Sequence, residues 1–62
     1  MWTVVYIAPN KKEAERIRDL FAREGLLVKL NEVVATADED RAYEILVPEA
    51  EVEEALELLG GF

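Results

Sequence analysis

An α+β fold of order βαββα, with a three-stranded antiparallel sheet in the order 1-3-2 and two helices on one face, is predicted by three features of the chain. Residues 2–8 (WTVVYIA) are β-branched and aromatic almost throughout, the composition of a strand. Two stretches carry apolar residues at helical spacing, Ala14, Ile17, Leu20 and Phe21 in one and Val52, Ala55, Leu56 and Leu59 in the other. Between them, residues 26–36 (LLVKLNEVVAT) and 42–47 (AYEILV) read as two strands joined by the polar turn 37–40.

Each element has its own local cause. The first strand is apolar on both faces and stops at Pro9-Asn10, a turn signal. Asn10 offers its side-chain oxygen to the free N–H groups of the helix that follows, which predicts an N-cap. Glu13–Arg16, Glu15–Arg18 and Asp19–Arg23 lie three or four residues apart on the outer face, where opposite charges can pair. Gly25 ends the helix where a left-handed residue is favoured. In the second strand Leu26, Val28 and Leu30 share one face, and Leu27, Lys29 and Asn31 the other. The third strand turns Tyr43, Ile45 and Val47 inward and Glu44 outward. Pro48 is read as opening the second helix, since a missing N–H is harmless in a first turn. The glutamates that follow complement the positive end of the helix dipole, and Gly60-Gly61 closes the helix.

A right-handed crossover through the first helix leaves a gap between strands one and two, which strand three fills antiparallel to both. The arrangement is a ferredoxin-like fold without its last strand, a single domain over residues 1–62. One sheet face and the free edge of the first strand then stay open. If Val5 and Ile7 point at the helices, then Trp2, Val4, Tyr6, Leu27 and Leu46 form an apolar open face, the candidate interface. Trp2 and Tyr6 are the residue types favoured at buried contact centres.

The segments VVYIAPN, KEAERIRDLFAREGLLVKL and AYEILVPEAEVEEALELL resemble a small bacterial family labelled as signal-transducing domains of unknown function. The likeness runs through Glu13-Ala14-Glu15, Ile17, Leu20, Glu24-Gly25 and Leu58-Leu59, and covers nearly the whole chain. It implies a βαββα domain with a regulatory role, and it carries over no functional residue.

Composition narrows the function. The 62 residues include no histidine, cysteine, serine or glutamine. Nucleophilic catalysis needs an activated hydroxyl or thiol beside a base, and proton transfer near neutral pH relies most often on histidine. The side-chain hydroxyls are those of Thr3, Thr36, Tyr6 and Tyr43, and no catalytic residue, cofactor site or metal site is expected. The net charge of −7, from 14 acidic and 7 basic residues, argues against nucleic acid and anionic membrane as partners. No long apolar run or leader is present, and a cytoplasmic location is expected. A core this small gains from a helper. Without cysteine or histidine the remaining helper is self-association, so a homodimer or other small homo-oligomer is expected, with a further protein partner as another occupant.

Three charged clusters complete the candidates. Asn10, Lys11 and Lys12 stand at a helix start and could contact an anionic metabolite, which makes a small-molecule sensor the competing functional reading. Asp38-Glu39-Asp40 lacks the glycine and distal glutamate of a calcium loop and reads as a solvated turn. Glu51, Glu53, Glu54 and Glu57 read as an exposed helix face rather than acid–base pairs.

Overall fold

The β-branched opening segment forms strand β1, Trp2–Ala8, as its composition predicts. The computed structural model describes residues 1–34 and 41–61, and the elements in order are β1, α1 (Lys11–Arg23), β2 (Lys29–Val34), β3 (Arg41–Pro48), a 3-10 turn (Glu49–Glu51) and α2 (Val52–Gly60). The sheet order is β1-β3-β2, and β3 runs antiparallel to both neighbours. The βαββα expectation is met. The predicted turn 37–40 and the end of the second strand at Thr36 lie outside the described residues.

Helix α1 is closed at both ends by the residues that predict it. Asn10 is extended (φ −155°, ψ 170°), and its side chain accepts the Glu13 N–H at 2.9 Å. At the other end Gly25 has φ +85°, the left-handed region that glycine enters without steric cost. Its N–H donates to the Ala22 carbonyl at 3.1 Å, and the Leu26 N–H donates to the Phe21 carbonyl at 3.0 Å. These two bonds are a Schellman motif, and the apolar contact that accompanies one is supplied here by buried Phe21 and Leu26. Of the predicted surface pairs, Glu13–Arg16 forms at 2.8 Å, while Arg18 turns to Asp19 at 3.4 Å.

Two element boundaries differ from the expectation. β2 begins at Lys29, not Leu26. Lys29 opposes Leu46, so continuing the register by two residues would set Leu27 against Pro48, which has no N–H to give to a ladder. The Leu27 N–H is taken instead by the Glu51 carboxylate at 2.9 Å. Pro48 does not open a helix either: it ends β3 in an extended conformation (φ −60°, ψ 147°), opposite Trp2. The 3-10 turn follows, its Glu49 N–H donating to the Met1 carbonyl at 2.9 Å, and α2 starts only at Val52.

Ala8, Ala14, Ile17, Phe21, Leu26, Ile45, Val47 and Ala55 make one buried cluster, to which both helices and the inward face of β3 contribute. No polar or charged side chain is buried among the described residues. Leu56, predicted inward, is 51% exposed.

Candidate interaction surface

The face of the sheet away from the cluster is assembled by register. Directly opposed residues of an antiparallel ladder put their side chains on the same side. Val4, Leu46 and Lys29 therefore form one row across β1, β3 and β2, and Ile7, Glu44 and Asn31 form another. Lys29 reaches diagonally across Leu46, bringing its Nζ to 5.5 Å from the centre of the Trp2 ring. At an exposed site such a cation–π contact contributes about 0.5–1 kcal/mol. The Asn31 side-chain amide donates to Glu44 at 2.9 Å. The β1 side of this face is apolar; the β2 side is polar and hydrogen-bonded.

One side assignment is corrected. The expectation sent Val5 and Ile7 towards the helices and Tyr6 to the open face. Val5 does pack against the cluster, but Ile7 is 59% exposed and opposes Glu44. The reason is a β-bulge: Val4 opposes Leu46, whereas Tyr6 opposes Ile45, so one extra residue of β1 is absorbed between them. The alternation is displaced by one from that point, and Tyr6 stands opposite a fully buried residue while remaining exposed itself. Trp2, Val4 and Leu46 lie in the predicted rows. Leu27 lies beyond the end of β2 and is exposed, between buried Leu26 and half-buried Val28.

Exposed apolar surface is unevenly shared. Seven large hydrophobic side chains are exposed among the described residues, and five of them are Met1, Trp2, Val4, Tyr6 and Ile7. They belong to β1 or precede it. β1 is also an edge strand, paired among the described residues only with β3.

The charged candidates are already engaged or simply solvated. Asn10 commits its oxygen to the Glu13 N–H, and Lys11 and Lys12 are exposed beside it. A shallow open depression between Met1, Pro48, Glu49, Ala50 and Glu53 carries two carboxylates, which repel an anion. Glu53, Glu54 and Glu57 are exposed, and half-buried Glu51 holds Leu27. Asp38-Glu39-Asp40 lies outside the described residues. Among the described residues no group of acidic side chains is placed to hold a metal ion, and no helix is long and apolar enough to cross a membrane.

One polar cluster escapes sequence reasoning. Glu32 opposes Tyr43, and its carboxylate accepts from the Tyr43 hydroxyl at 3.0 Å and from Arg41 at 3.1 Å. The hydrogen bond to Glu32 raises the Tyr43 pKa above the ordinary tyrosine value, with desolvation and the Glu32 charge acting in the same direction and Arg41 against them. Only the strand register brings these three together, so no spacing along the chain announces them.

No protein-family model, curated protein or solved structure matches this chain. The functional reading therefore rests on the geometry above.

Proposed function

We propose that the chain is a non-catalytic regulatory or interaction module of the cytoplasm that associates with itself, as a homodimer or other small homo-oligomer, through its open sheet face or the edge of β1. The observation that carries this reading is the concentration of exposed apolar side chains from Met1 to Ile7. Scattered apolar residues are normal on a protein surface, but Trp2, Val4 and Ile7 stand on one face of β1, and exposed apolar side chains gathered on one face of a small domain mark a contact site. The small core, eight residues among those described, supports it as well, because a domain of this size gains stability from a partner. A metabolite sensor at Asn10, Lys11 and Lys12 has less support, since the Asn10 oxygen is spent on its own helix. Sedimentation equilibrium at high micromolar concentration tests the reading. A mass above that of one chain is expected, and a clean 7.0 kDa species would refute it.

A further inference from the structure

We propose that β1 pairs edge to edge with β1 of a second copy, antiparallel about a two-fold axis perpendicular to the sheet, so that two three-stranded sheets become one of six strands. The inference deepens the self-association reading and rests on it: it names which surface meets which.

Four observations select this contact. First, β1 pairs only with β3, so the backbone groups on its outer edge have no strand partner among the described residues. Unpaired edge N–H and C=O groups are a template for another strand. Second, charge directs the approach. Each copy carries −7, yet residues 1–10 contain no charged side chain, so two β1 strands can meet without setting like charges against each other. The opposite edge, β2, carries Lys29 and Glu32, the kind of side chains that discourage edge pairing. Third, α2 leaves β3 and lies against β1 as well as β3, the path of a helix leading to a further strand beside β1. Among the described residues no further strand lies beside β1, and Leu56 on that helix stays exposed. Fourth, a strand paired with its own copy across such an axis is antiparallel, the sense in which β1 already pairs with β3. A stable homodimer buries at least ~1,200 Å² in total, or ~600 Å² from each chain. The chain exposes 4371 Å², and the apolar residues of β1 lie where that area would be drawn.

Because the chain has no cysteine, single cysteines report proximity without background. The experiment places one cysteine at a time at Thr3, Val4, Val5, Tyr6 and Ile7 of β1, and compares Asn31→Cys on β2 and Leu46→Cys on β3 after mild oxidation of the folded protein. Opposed residues of an antiparallel pair have Cα atoms about 4.5–5.5 Å apart, within the span of a disulfide. Covalent dimer is expected from the β1 position nearest the two-fold axis, with little from Asn31 or Leu46. Three of the five β1 sites, Val4, Tyr6 and Ile7, are exposed, which leaves several variants that fold if one does not. Cross-linking at Leu46 or Asn31 with none along β1 would overturn edge pairing and leave self-association standing. Equal cross-linking at every position would overturn it too. A monomeric unmodified chain in the sedimentation experiment would remove both readings together.

Discussion

The two edges of this sheet are built on opposite principles. β2 presents Lys29, Asn31 and Glu32, and each has a partner: the Trp2 ring, the Glu44 carboxylate, and Arg41 with Tyr43. β1 consists of Trp2, Thr3, Val4, Val5, Tyr6, Ile7 and Ala8, with no charge among them. Both strands lean on the same central strand, so the difference does not arise from the fold. It lies in side-chain chemistry: one edge is guarded by charge, as edge strands of soluble monomers usually are, and the other is not.

The comparison can be broken at its root. Ile45 on β3 is fully buried and supports both edges at once. Ile45→Ala is expected to cost about 2–5 kcal/mol, comparable with the ~3–5 kcal/mol that a core of this size supplies. Circular dichroism and urea denaturation should find the chain largely unfolded and any association lost with it. The next largest effect comes from making the two edges alike. Replacing Lys29 and Glu32 together by threonine removes both charges of β2 and leaves the core untouched. Light scattering should then detect open-ended assemblies in place of one closed species, because two sticky edges propagate where a single one closes. Unchanged size would show that charge does not guard β2.

The smallest effect concerns the bond that ties Glu32 to Tyr43. The hydrogen bond to the Glu32 carboxylate favours the protonated phenol and raises its pKa in the folded state. The stability from this bond is thus fully present below the ordinary tyrosine pKa of about 10, and is lost as pH rises through the higher folded value. Glu32→Gln removes the charge while keeping an acceptor. Near-ultraviolet titration should show the phenol of Tyr43 ionising at lower pH than in the parent. No change would mean that the contact at 3.0 Å is absent in solution.

Much of the architecture was legible because single residues carry strong local instructions. Asn10 and Gly25 bracket α1, and the β-branched run of β1 sets both of its ends. The strand order follows from crossover geometry once five elements are recognised. The bulge was not legible, because WTVVYIA is apolar at every position and a displaced alternation leaves no mark in such a run. That is why Ile7 and Tyr6 exchanged sides against expectation while Trp2 and Val4 did not. The start of β2 depended on Pro48, a residue some twenty positions away, and so on a pairing that local pattern does not contain. Leu56 fits a helical stripe, but the width of sheet beneath a helix is a tertiary quantity.

The extra residue in β1 also makes that strand tolerant of change in length. With Val5 removed, Val4 would be followed directly by Tyr6, and Thr3, Val4, Tyr6, Ile7 and Ala8 would each keep the partner on β3 that they already have. The segment can therefore lose a unit at this one point without turning itself inside out, a latitude that no other position in the sheet offers among the described pairings.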